Sequence, residues 1–180
     1  MSIRRTHLAF VAFLTLATSC DDAMVEPGPP DTAALFQTDS ATYTFVTTAV
    51  ATEGRILTTL TNRSGRAMYF VNCSGRSSLS IQRLDGTQWT HFWSPTQLLC
   101  FSPPIIVQNG GTQAFDIRVS ASKAGNNVFP QVEGLLVTGV YRVIWNEAYF
   151  NYQDRQNEPA WSDPVPESLR VSNRFVIRAP

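Results

Sequence analysis

Residues 78–93 read SLSIQRLDGTQWTHFW. Ser78–Leu84 alternates in polarity and puts Leu79 and Ile81 on one face, the period of a half-buried strand. Asp85-Gly86 predicts a two-residue hairpin turn with positive φ at both positions. Thr87–Trp93 then returns, and its alternation places Trp89, His91 and Trp93 together on one face.

The same grammar repeats on either side of this hairpin. Ala41–Val50 is β-branched and aromatic and reads as one strand. Arg55–Asn62 follows, and Asn62-Arg63-Ser64-Gly65 turns the chain into the strand Ala67–Cys73. After the proline-rich stretch Ser94–Pro104 come a short apolar run, Ile105–Gln108, and an Asn109-Gly110-Gly111 turn. Gln113–Ser120 alternates with Phe115, Ile117 and Val119 inward and Asp116 and Arg118 outward. Val140–Glu147 aligns Tyr141, Val143 and Trp145. Leu169–Arg178 reads as the last strand, with Leu169, Val171, Phe175 and Ile177 alternating. About eight short strands without sustained helical periodicity predict an all-β, antiparallel β-sandwich, with a closed barrel as the alternative that strand count alone does not separate.

Gly139-Val140-Tyr141-Arg142-Val143 resembles the entry to strand F of immunoglobulin-like domains, where a tyrosine bonds back to the backbone at a corner. A wider resemblance runs from about residue 55 to 147. It rests on Leu60-Thr61-Asn62-Arg63-Ser64-Gly65, the strand ending near Cys73, Leu84-Asp85-Gly86 followed by Trp89, and Trp93-Ser94-Pro95. Gly110-Gly111 before the Phe115 strand and Gly139-Val140-Tyr141 complete it. In these features the chain is similar to the intracellular proteinase inhibitor (BsuPI-like) domain. The resemblance implies an immunoglobulin-like sandwich. It implies proteinase inhibition only as a fold-level analogy, because no inhibitory loop motif carries over residue by residue.

The N-terminus reads as an address. Arg4 and Arg5 precede the uncharged run Leu8–Leu16, and Ala17-Thr18-Ser19 lies directly before Cys20. This order predicts a signal peptide over residues 1–19, too short in its apolar part to span a bilayer. The segment resembles a lipobox, which makes Cys20 the lipidation site and the mature N-terminus. Ala17 and Ser19 also suit ordinary signal peptidase, which would cut the same bond and leave Cys20 bare. Residues 20–40, with Asp21, Asp22, Glu26, Pro27, Gly28, Pro29, Pro30 and Asp31, read as a lipid-anchored flexible linker, and residues 41–180 as the sandwich domain. The expected location is a bacterial cell envelope, with the protein held on a membrane by its N-terminal lipid.

Composition narrows the function classes. The chain has 14 basic and 14 acidic side chains. Loss of Arg4 and Arg5 with the signal leaves it slightly acidic, so no nucleic-acid partner is expected. Cys73 and Cys100 form an even pair in an oxidising compartment and predict a disulfide. Closing their loop is worth about 3.5 kcal/mol on the chain-entropy model. A metal site would need more ligands than the one mature histidine, His91, can supplement, so neither metal nor cofactor is expected. A hydrolase would have to use His91 as its base, on a strand between two tryptophans, and no nucleophile elbow accompanies it. The expectation is therefore a non-catalytic envelope module, with the inhibitor and the hydrolase behind it. Asp154, Glu158, Asp163 and Glu167 are too widely spaced for a calcium loop and read as a solvated segment.

The segment Phe150–Ser168 reads as a long loop, of the length that functional loops reach. With Tyr149 leading in, it carries Tyr152, Arg155 and Trp161, residue types enriched at binding surfaces. These four are the candidate partner-binding residues, for a protein or a glycan.

Overall fold

The computed structural model describes residues 35–73, 76–95, 102–123, 131–132, 138–154 and 160–178. In chain order its strands begin with β1 (Phe36–Thr38), β2 (Thr42–Thr44), β3 (Val46–Thr47), β4 (Ala51–Thr61) and β5 (Met68–Cys73). Next come β6 (Arg76–Ser77), β7 (Leu79–Asp85), β8 (Gln88–Trp93), β9 (Ser102–Val107) and β10 (Thr112–Lys123). The last are β11 (Gln131–Val132), β12 (Gly139–Trp145), β13 (Ala148–Gln153), β14 (Ala160–Pro164) and, after the short helix α1 (Glu167–Arg170), β15 (Phe175–Arg178). The molecule is an all-β sandwich. Its first sheet runs β1-β4-β10-β11 with β3 also on β4. The second runs β2-β15-β12-β7-β8. The third runs β14-β13-β5-β6, with β9 beside β5. Strand pairing is antiparallel except between β10 and β11 and between β15 and β2.

One core joins the three sheets. Ile56 and Leu60 of β4 and Ile117 and Val119 of β10 are buried, as the alternation of these strands requires. Tyr141, Val143 and Trp145 of β12 are all completely buried on the face the sequence assigned them. The Trp145 ring lies 4.5 Å from Phe70, 4.8 Å from Phe115 and 6.5 Å from Phe36, so it touches the first and third sheets from the second. Burial pushes the Tyr141 phenol up to about 12, against the opposing influence of Arg83, whose side chain hydrogen-bonds it.

Several elements differ from the sequence expectation, each for a local reason. The run Ala41–Val50 is two strands in two sheets. β2 lies on β15, β3 lies on β4, and between them Phe45 is fully buried. The Phe45 ring covers Gly54, where a Cβ would stand 2.2 Å from it. The hairpin loop between β7 and β8 is Gly86-Thr87, because Asp85 is still paired with Gln88. Only its first residue has positive φ, as a type II′ loop requires. On β8 the register shifts between Ile81↔Trp93 and Gln82↔His91. This bulge at Phe92 turns both Phe92 and Trp93 into the core and leaves His91 exposed, so Trp93 does not share a face with His91.

The C-terminal run Leu169–Arg178 is not one strand. Its start is α1, held by Arg170, whose guanidinium donates to the backbone oxygens of Trp145, Val165 and Asn146. The segment Phe150–Ser168 is not a loop either. β13 and β14 form a hairpin across it, with Tyr152 opposite Trp161. The fold also takes in residues assigned to the linker. Phe36 of β1 is completely buried and pairs with Leu60. Thr38 is clamped by Asn173, whose Oδ1 accepts the Thr38 N–H at 2.7 Å and whose Nδ2 donates to Thr38 Oγ1 at 2.9 Å.

Candidate functional site

The outer face of the third sheet gathers aromatic side chains. In β5, Phe70 points into the core and pairs with Ala148, also buried. Its neighbour Tyr69 must then point outward. Pairing fixes a cross-strand row: Ile106 of β9 opposite Tyr69, Tyr69 opposite Tyr149, and Tyr149 opposite Pro164 of β14. Ile106 is 47% exposed, unusual for an isoleucine within a strand.

Four half-buried rings contact one another in a chain at this sheet. Tyr69 stacks on Tyr152 at 6.0 Å and 30°, Tyr152 meets Trp161 at 4.7 Å, and Trp161 meets Tyr149 at 5.4 Å. Each such contact adds about 0.5–1.5 kcal/mol beyond area burial. The contacts also hold the rings in fixed rotamers, so a ligand of this sheet would not have to order them. That matters because ordering a side chain on binding costs about 0.5–1.5 kcal/mol. Exposed Asn151, Gln153 and Ser162 edge the rings with hydrogen-bonding groups.

Arg66, in the turn before β5, closes one end of the face. Its guanidinium lies 4.5 Å from the Phe150 ring centroid, pairs with Asp163 at 2.6 Å and reaches Asn151 Oδ1 at 3.4 Å. Asp163 has φ of 61°, the only positive φ outside glycine among the described residues. Asn62 places the Arg66 backbone: its buried Nδ2 donates to the carbonyls of Arg66 at 2.7 Å and Val107 at 2.8 Å. Its Oδ1 accepts from the N–H and hydroxyl of Ser64.

The structure thus brings together three of the four residues named from sequence: Tyr149, Tyr152 and Trp161. Arg155, Cys20 and Cys100 lie outside the described residues. Cys73 is fully buried at the end of β5. Tyr69, Ile106 and Arg66 were missed. The alternation of Ala67–Cys73 marks Tyr69 as the outward aromatic of a buried strand, but nothing local says that β13 lies beside it.

The other candidate groups are placed elsewhere. His91 is exposed, with Nε2 3.3 Å from Ser94 Oγ. Trp89 lies under two guanidinium groups, Arg142 at 4.5 Å and Arg174 at 5.7 Å. Arg142 is itself bonded to Gln82 and Glu167, so this cluster braces β12 against β8 and α1. Of the acidic residues weighed for calcium, Asp163 is paired with Arg66 and Glu167 with Arg142. Among the described residues no group of three or more His, Cys, Asp or Glu side chains could hold a metal ion, and no helix is long and apolar enough to cross a membrane. No family model matches the chain, and no curated relative matches it.

Proposed function

We propose that this protein is a non-catalytic, lipid-anchored module of a bacterial cell envelope, and that it binds a protein or glycan partner through the aromatic face of its third sheet. The observation that carries the reading is the ring chain Tyr69–Tyr152–Trp161–Tyr149, preformed and half-exposed beside Ile106. Tyrosine, tryptophan and arginine dominate binding energies where they cluster in this way. The signal-like N-terminus, Cys20 and the acidic proline-rich spacer support the address. A disulfide from Cys73 to Cys100 belongs to the same reading. Asn72 pairs with Ser102, so the chain rejoins β5 two residues after Cys100 and beside the strand end that carries Cys73.

The test is capture of a partner from envelope extract by the wild-type chain and by Trp161→Ala and Tyr152→Ala. Each substitution should cost about 2 kcal/mol or more, roughly thirtyfold in affinity. Undiminished capture by both would remove the face from the function. Intact-mass analysis of the membrane fraction reads the anchor separately: a mature chain beginning at an unmodified Cys20 excludes the lipid and leaves export standing.

A further inference from the structure

Leu35, the first described residue, is linked to the aromatic face through a run of contacts. The Leu35 carbonyl accepts the Thr61 N–H at 2.7 Å. Thr61 is followed by Asn62, whose side chain holds the Arg66 carbonyl, and the Arg66 guanidinium lies on Phe150 and reaches Asn151. Tyr152 directly follows Asn151. A short chain of contacts therefore joins the first described residue to the ring cluster, and residues 21–34 precede that residue in sequence.

Those residues have the composition that aromatic surfaces recognise. Glu26-Pro27-Gly28-Pro29-Pro30-Asp31 favours the polyproline II conformation, which is extended, without internal hydrogen bonds and already low in entropy. Proline-rich segments of this kind dock on surfaces lined by tyrosine and tryptophan. Charge is complementary too. Glu26 and Asp31 flank the prolines, and the turn that follows Thr61 presents exposed Arg63. A proline-rich chain extends about 3.1 Å per residue, so the reach from Leu35 is up to roughly 15 Å at Pro30 and roughly 25 Å at Pro27.

From this geometry we infer that the occupant of the aromatic face in the unpartnered protein is its own segment Glu26–Asp31, a strap that a partner must displace. A short flexible tether supplies an effective concentration in the millimolar range. A contact of only millimolar affinity is then closed about half the time, which suits a regulator better than a permanent structural element. The inference rests on reading this face as the binding surface and adds its regulation.

The experiment needs no partner. The chain from Asp21 onward is labelled with nitrogen-15, and the Trp161 indole signal is assigned by its loss in Trp161→Phe. Three forms are compared: the parent, the triple variant Pro27→Ala, Pro29→Ala, Pro30→Ala, and Glu26→Lys with Asp31→Lys. Circular dichroism of each form checks that the fold is kept. The expected result is displacement of the Trp161 indole and of the Tyr69, Tyr152 and Asn151 amides in both altered forms, with signals of the β7–β8 hairpin unmoved. Raised salt should shift the parent the same way. Coincident spectra for all three forms overturn the strap. So do signals that move only with protein concentration, which would give the face to a second copy, or only on adding oligosaccharide. A failed strap with partner capture still dependent on Trp161 leaves the proposed function intact, whereas the reverse pattern leaves the strap alone standing.

Discussion

Asp85 sits at the last paired position of β7, and its carboxylate accepts two hydrogen bonds from Arg83, at 2.8 and 3.2 Å, and one from the Thr90 hydroxyl at 2.6 Å. The Arg83 bonds, then the Thr90 bond, hold its pKa below the ordinary carboxylate value. A group whose folded pKa is depressed binds its proton less readily in the native state. Its contribution is therefore complete above the unfolded pKa, about 3.9 for aspartate, and is lost as the pH falls through the folded value. A carboxyl NMR titration should give Asp85 a midpoint below that ordinary value. Arg83→Gln should move it upward, and Thr90→Val should move it upward by less. A midpoint unchanged by both would show that the contacts do not set it. Asn62 shows the opposite kind of residue. The sequence marks it as a turn residue, and it is one, but its complete burial follows from Val107, distant in sequence, presenting a carbonyl to its amide.

At the scale of elements, Phe45 and Gly54 decide how the N-terminal strands divide. β2 ends on the second sheet, with the Phe45 N–H donating to the Arg178 carbonyl at 3.1 Å, and β3 begins on the first. The crossing works because the Phe45 ring occupies the space a side chain at position 54 would need. Gly54→Ala places a methyl group within 2.2–2.5 Å of that ring and should destabilise the fold by about 1–3 kcal/mol, the usual cost of overpacking a core. Urea titration would measure it; a loss under about 0.5 kcal/mol would mean the ring moves aside freely. The same switch explains what was legible beforehand. The turn Asn62–Gly65 separated β4 from β5, and alternation located β7, β10 and β12. It joined β2 to β3 and misplaced Trp93, because a sheet switch and a one-residue bulge both break the period without changing the residue types. The β13–β14 hairpin was hidden for a related reason. Its aromatic and polar residues pack mostly on one another, so they lack the apolar alternation of a core strand, although that composition did single out Tyr149, Tyr152 and Trp161 as surface groups.

At the scale of the molecule, β1 carries a consequence out of proportion to its three residues. Phe36 lies between Phe115 of β10, at 6.4 Å, and Trp145 of β12, at 6.5 Å, while its carbonyl accepts the Asn173 N–H and its neighbour Thr38 is clamped by the Asn173 side chain. This first described strand is thus built into the contact between two sheets, and through Trp145 and Phe70 into the third. A core shared in this way should open as one unit. Phe36→Ala removes a completely buried ring and should cost about 3–5 kcal/mol. Global opening distributes that loss everywhere, so native-state hydrogen exchange should show the slowest amides of β5, β10 and β12 losing protection by the same free energy. Far-UV circular dichroism and tryptophan fluorescence should keep a common, lower midpoint in urea. If the β5 and β12 amides keep their protection while those of β4 and β10 lose theirs, the first sheet is a separate unit docked on the other two. β1 would then be a clasp between units and not part of one core.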